Sequence, residues 1–101
     1  MNAININKNN FKSEVMDSEK KVLLDFWAPW CGPCRMVVPI VEEIARQRPD
    51  IKVGKINVDE EVELAGQFGI MSIPTLMVIE NGKVVNQAMG AGPKEAILAM
   101  L

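Results

Sequence analysis

Val22-Leu23-Leu24-Asp25-Phe26-Trp27-Ala28-Pro29-Trp30-Cys31-Gly32-Pro33-Cys34 leads from an apolar run into an amphipathic one. Residues 22–27 are few, apolar and rich in strand formers, which predicts a buried strand. Beyond Cys34, Met36, Val37, Ile40, Val41, Ile44 and Ala45 recur every three to four positions. That spacing marks one face of a helix running to about Gln47, with Pro49 stopping it. Pro39 lies inside this helix and predicts a kink, because an interior proline removes one hydrogen bond and crowds the preceding turn. The only two cysteines thus fall at a strand-to-helix junction, with Cys31 near the helix N-terminus. Unpaired backbone N–H groups favour negative charge there, and the thiolate is the reactive form of cysteine.

Working outward, Ile4 and Ile6 alternate with asparagines and predict a short strand. Asn9 or Asn10 is expected to cap a brief helix through about Met16, with Phe11 and Val15 turned inward. Ile51–Val58 reads as a third strand. Asp59 follows as the expected N-cap of a helix carrying Val62, Leu64, Ala65 and Phe68, with Glu60 and Glu61 in its first turn and Gly69 at its end. Thr75–Ile79 and Lys83–Met89 read as strands joined by Asn81-Gly82, a strong hairpin signal. Gly90 and Gly92 break the last strand, and Pro93 opens a closing helix to Leu101. This order predicts an α/β sandwich, a mixed sheet of about five strands with helices, about four of them, on both faces.

Composition narrows the function. A chain of 101 residues, 49% hydrophobic and 24% charged, fits one soluble domain over 1–101. A net charge of −2 and a pI near 5.1 argue against nucleic-acid binding. No apolar run approaches the ~20 residues that cross a bilayer, so no membrane role is expected. Met1–Lys8 lacks the basic head and apolar stretch of a secretory signal, making the cytoplasm the expected compartment, where paired cysteines are seldom structural. Histidine is absent, which removes Ser-His-Asp triads and imidazole-ligated metals. Zinc would need cysteines from two chains, and a structural disulfide here would close only a tiny loop and add little stability. No metal is expected.

The chain resembles the thioredoxin family over essentially its whole length. Carrying the resemblance are Asp25-Phe26-Trp27-Ala28-Pro29-Trp30-Cys31-Gly32-Pro33-Cys34-Arg35, then Pro39, Lys55, Ile73-Pro74-Thr75, Asn81-Gly82 and Gly90. A lone C-x-x-C is a weak signal, whereas W-C-G-P-C with a downstream Ile-Pro-Thr is specific. The resemblance implies a thioredoxin-like three-layer α/β/α fold and a general protein-disulfide reductase. It departs from the family in a short last helix opened by Gly92-Pro93, and in Val78-Ile79-Glu80 where an aromatic and a lysine are commoner.

Disulfide exchange needs an accessible thiolate, a second thiol to resolve the mixed disulfide and a route for the second proton. Cys31 is expected to be the exposed nucleophile and Cys34 the buried resolving thiol, forming a reversible Cys31–Cys34 disulfide. Gly32 and Pro33 shape the loop and place no charge donor beside the sulfur, which favours a reductant over an oxidase. By alternation Asp25 shares a face with Leu23 and Trp27. The resemblance places it beneath the cysteines as the base for Cys34, acting through a water, with Lys55 tuning it; the competing reading is an Asp turned to the surface of an irregular strand. The resemblance also makes Ile73–Pro74 cis and facing the disulfide. Trp30, Met71, Ile73, Pro74, Gly90 and Ala91, with Pro33, are expected to form the rim that receives substrates, and Trp27 to pack beside the site. Met36, Met77 and Met89 are expected to fill core gaps. No cofactor is expected to be bound; electrons would come from thioredoxin reductase, a flavin enzyme drawing on NADPH, and the chain is expected to be a monomer. The competing function is a binding subunit that clamps a partner with the same rim, irrespective of redox state.

Overall fold

The computed structural model describes residues 2–101. Its elements run β1 (Ile4–Asn5), a π-type helical turn (Lys12–Met16), β2 (Val22–Trp27), α1 (Gly32–Gln47), β3 (Lys52–Asn57), α2 (Val62–Gln67), β4 (Thr75–Glu80), β5 (Lys83–Met89) and α3 (Lys94–Leu98). The strands form one sheet in the order β1-β3-β2-β4-β5. Central β2 pairs in parallel with β3 and antiparallel with β4, while β5 returns along β4. Asn81 and Gly82 make that return with positive φ values of 53° and 77°, as a tight primed hairpin requires. The mixed five-stranded sheet and its four helical segments match the expected α/β fold.

Strand alternation sorts the core into two layers. Leu23, Val53, Leu76 and Val78 face α1 and α3, meeting Val37, Val41, Ile44 and Ile97. Val22, Leu24, Phe26, Ile56, Met77 and Ile79 face the other way, onto Val15 and Leu64. Phe68 closes this second layer edge-on to Phe11 and Phe26, at centroid separations of 5.7 and 5.6 Å. With its even neighbours turned into the second layer, Asp25 faces α1. The sheet therefore holds that carboxyl directly under the helix that begins at the cysteines.

Several local expectations are corrected. The turn before the π-type helix is capped by Asn7, not Asn9 or Asn10: its Oδ1 accepts the amides of both, at 2.8 and 3.0 Å, and Asn10 Oδ1 answers the Asn7 amide. Asp59 does not cap α2. Asn57 Oδ1 accepts the Asp59 and Glu60 amides, and α2 begins only at Val62, with Glu63 as its first-turn acid. α3 is five residues long rather than reaching Leu101, and Met100 and Leu101 pack loosely against the α1 layer. By contrast, α1 does run to Gln47 with Pro39 inside it, as the sequence predicts. Met77 does fill the core, but Met36 and Met89 do not, being 68% and 67% exposed. Met36 lies off the buried Cys34-Val37-Val41 stripe of α1, and Met89 ends an edge strand that is exposed along its length.

Gly54 of β3 leaves no room for a side chain between Ile6, just past β1, and Leu24 of β2. A Cβ there would lie 2.7 Å from Ile6 Cγ1 and 3.1 Å from Leu24 Cδ2, both in the second core layer. Gly54→Ala sets an overpacking cost of about 1–3 kcal/mol against an unfolded-state gain of about 0.4–1 kcal/mol. Net destabilisation is expected, read as a lower urea midpoint at constant m-value. A midpoint equal to or above that of the parent would show that Ile6 and Leu24 yield freely.

Candidate active site

The path from β2 into α1 builds the site. The chain leaves the sheet through buried Ala28, whose carbonyl accepts the Cys31 amide at 3.1 Å. Cys31 is extended, with φ −87° and ψ 113°, and is the N-cap of α1. An N-cap accepts an amide of the first turn, ordinarily through a side-chain oxygen. Here Cys31 Sγ takes that place, accepting the Cys34 N–H at 3.2 Å. Gly32 and Pro33 occupy the first helical positions, where a proline's missing N–H costs nothing. The Arg35 guanidinium donates to Pro29 O and fastens the loop from behind. Cys31 and Cys34 are joined as a disulfide with Cα atoms 5.3 Å apart.

The expected contrast between the thiols is present but smaller than the sequence suggested. Cys34 is fully buried, and Cys31 is only 5% exposed rather than open to solvent. The reason lies across the site, where Cys31 Sγ packs 3.8 Å from Ile73 O and the Ile73–Pro74 bond is cis. Gly90 donates its amide to Pro74 O at 2.8 Å, which brings the end of β5 to the same place.

Beneath this surface Asp25 is wholly buried, and neither carboxyl oxygen makes a hydrogen bond to any described residue. Burial pushes its pKa from 3.8 up to about 7, while the charge of Lys55 pulls it down by less. Lys55 is the register partner of Asp25 across β2 and β3. Its ammonium divides its attention, 3.6 Å from Glu42 Oε2 and 5.9 Å over the Trp27 ring. Trp27 is part-buried beside the cysteines, as expected.

The rim is apolar and open. Trp30 is 67% exposed, yet its indole N–H donates to Asp59 Oδ2 at 2.8 Å, which fixes the ring. A groove of about 200 Å³ runs between Trp30, Ile70, Met71 and Ile73. A second, of about 340 Å³, lies between Met36, Ile40, Ala91 and Pro93. Structure thus brings Cys31, Cys34, Ile73, Pro74 and Gly90 together, with Trp30 and Met71 in one groove and Ala91 in the other. Sequence reasoning missed Asp59 as the anchor of Trp30 and Glu42 as the partner of Lys55. It also missed Met36 and Met89 as exposed groups; only their place beside the cysteines and Gly90 hinted at this.

The thioredoxin family model matches residues 2–101. The chain belongs to the thioredoxin family. It is 53% identical over 96 residues to thioredoxin 1 of Nostoc sp., an alignment covering 94% of this chain and 90% of that relative. It is 52% identical over 89 residues to the thioredoxin of Bacillus subtilis, covering 87% and 84%. With the thioredoxin of Pyropia yezoensis it shares 47% identity over 102 residues, covering 100% and 95%. This thioredoxin-family chain is a thiol–disulfide oxidoreductase, a protein-disulfide reductase with a redox-active cysteine pair. Thioredoxins need no prosthetic group, and among the described residues no acidic or cysteine cluster is arranged to hold a metal. No described helix is long and apolar enough to cross a membrane.

The buried acid gives stability a pH dependence of unusual sign. Folded Asp25 keeps its proton up to about pH 7, whereas an ordinary aspartate loses it near 3.8. The folded state therefore binds more protons between those values, and stability falls as pH rises through the window. Glu43 and Asp50, hydrogen-bonded to Lys94 and Arg48, are held below their ordinary values and are ionised before the window's upper half. With no histidine in the chain, the loss approaches about 1.4 kcal/mol per pH unit. Urea unfolding of the oxidised protein is expected to lose about 2–3 kcal/mol from pH 5 to 8, and Asp25→Asn to stay level. A level profile for the parent would mean that Asp25 titrates normally.

Proposed function

We propose that residues 1–101 act as one thioredoxin-like domain, a monomeric, general protein-disulfide reductase of the cytoplasm with no nucleic-acid or membrane partner. The observation that carries this reading is the sulfur N-cap, Cys34 N–H to Cys31 Sγ at 3.2 Å, since an amide aimed at sulfur favours its anion. In the reduced protein the Cys31 thiolate attacks one sulfur of a substrate disulfide. A mixed disulfide forms and the first substrate thiolate departs. Asp25, through a water, takes the proton of Cys34. The Cys34 thiolate then attacks Cys31 Sγ, so the Cys31–Cys34 disulfide forms and the substrate leaves with both sulfurs reduced. Two electrons must return to the pair, and thioredoxin reductase, a flavin enzyme drawing on NADPH, is the proposed donor; the chain itself binds no cofactor.

Asp25 suits this role because a carboxyl with pKa about 7 accepts and releases a proton near neutrality. Lys55, which lowers that value, acts as its tuner. Trp30, Met71, Ile73, Pro74, Gly90 and Ala91 form the rim against which the substrate chain lies, Ile73 offering backbone pairing. Gly32 and Pro33 hold the loop in the shape that places Cys31 at the helix start.

Insulin reduction driven by a dithiol tests the assignment. Cys31→Ser is expected to abolish it, a loss of at least about 10³-fold, and Cys34→Ser is expected to accumulate mixed disulfides that reductant releases. Retained activity in Cys31→Ser, or partners that reductant does not release, would favour the non-redox clamp. Lys55→Met is expected to raise the Asp25 pKa and move the pH profile of reduction to higher pH; an unmoved profile removes Lys55 from the account. Met71→Glu is expected to raise KM for insulin with kcat little changed, and an unchanged KM would remove Met71 from the docking rim.

A further inference from the structure

We propose that Met36, Met71 and Met89 form a modification site, a set of thioethers around the disulfide that hydrogen peroxide converts to sulfoxides, turning an apolar docking rim polar. The proposal rests on the rim receiving substrate, and adds that the reception is itself sensitive to oxidant. Met71 is 92% exposed, and Met36 and Met89 are each about two-thirds exposed, whereas Met77 is 1% exposed. Among the described residues Met16 is also exposed, at 40%, on the π-type turn, whereas the other three stand on segments beside the disulfide. Met71 lines the Trp30–Ile73 groove. Met36 follows Cys34 by two positions and lines the groove with Ala91 and Pro93. Met89 is the register partner of Thr75, the residue after Pro74.

A thioether needs no deprotonation to react with peroxide, so access decides which methionine is oxidised. The cysteines are less open to attack, being joined to each other and almost buried. In the step itself, the methionine sulfur attacks one peroxide oxygen and the O–O bond breaks. Sulfur gives up two electrons and keeps that oxygen, and the other oxygen leaves as water after proton transfer. Lone-pair access also ranks the three. Ser72 Oγ donates to Met89 Sδ at 3.4 Å, engaging one of its two lone pairs and making that sulfur the poorer nucleophile, so Met71 should react first and Met89 last.

The consequence follows from polarity. A methionine at a docking surface offers flexible, polarisable apolar contact, and a sulfoxide presents a strong acceptor that docking would strip of water. Each sulfoxide covered by a protein substrate without a donor is expected to weaken docking about tenfold. A small disulfide reaches the sulfur without covering the rim and should not register the change.

The test treats the oxidised protein with hydrogen peroxide, maps sulfoxides by peptide mass spectrometry, then reduces the cysteines and assays. Sulfoxide at Met71, then Met36, then Met89, with Met77 intact, is expected. KM for insulin should rise about tenfold or more with kcat little changed, and the rate with a small aromatic disulfide should hold. The variant Met36→Leu/Met71→Leu/Met89→Leu, whatever its starting KM, should show no rise after the same treatment, and Met71→Leu alone should show a reduced one. Oxidation at Met16 or Met77 ahead of the three, or full rim oxidation with an unmoved KM, would overturn the proposal. Because Met71→Glu reads docking separately, an unmoved KM there condemns the docking reading, whereas a raised KM there beside an unmoved one after peroxide condemns the sulfoxide proposal alone.

Discussion

A backbone amide pointing at a sulfur atom is the contact on which the rest of this molecule turns. At most helix starts the first-turn amides are met by a serine, threonine or aspartate oxygen. Here the Cys34 N–H meets Cys31 Sγ, so the group that completes the helix is also half of the redox-active pair. The helix end contributes at most about 2 kcal/mol to a negative sulfur, and a hydrogen bond to a charged group about 1.5–3 kcal/mol. Both depend on position, and position is supplied by packing. Val37, Val41 and Ile44 of α1 lock onto Leu23, Leu76 and Val78 of the sheet. The Ala28 carbonyl and Arg35 guanidinium hold the loop between strand and helix.

The same packing puts a carboxyl where it does not favour folding. A pKa raised from 3.8 to about 7 corresponds to about 4 kcal/mol against the ionised form. Small domains are stable by only about 5–15 kcal/mol, so this is a large fraction to commit to one side chain. The fold tolerates it by keeping Asp25 protonated over most of the acid range. Lys55 could relieve the cost more fully, but Glu42 and the Trp27 ring share its charge. A full ion pair with Asp25 would hold the carboxylate ionised and leave a weaker proton acceptor. The partial pairing keeps the acid poised between its two states near neutrality.

Much of this was legible in the sequence because local signals and tertiary demands agreed. The β2 alternation put Asp25 on one face with Leu23, Asn81-Gly82 declared its hairpin, and the apolar spacing beyond Cys34 declared the helix. Misreadings came where a side chain had two possible employers. Asp59 looks like a helix cap, but α2 begins at Val62 without a side-chain cap, Asn57 caps the turn before it, and Asp59 holds Trp30. Met36 fits an apolar helical stripe by spacing, yet its neighbours on that side belong to an open rim. Met89 falls on a strand expected to face the core, but that edge strand is exposed along its length. Cys31 was expected to be open, and the approach of Ile73 O, distant in sequence, closes most of it.

The most direct test compares the two thiols of the reduced, folded protein. Iodoacetamide at pH 7, followed by peptide mass spectrometry, gives a separate alkylation rate for each. If the helix start stabilises sulfur as described, Cys31 is modified at least about tenfold faster than Cys34, despite its small exposure. Equal and slow modification of both would mean that the amide-to-sulfur contact gives Cys31 no special reactivity.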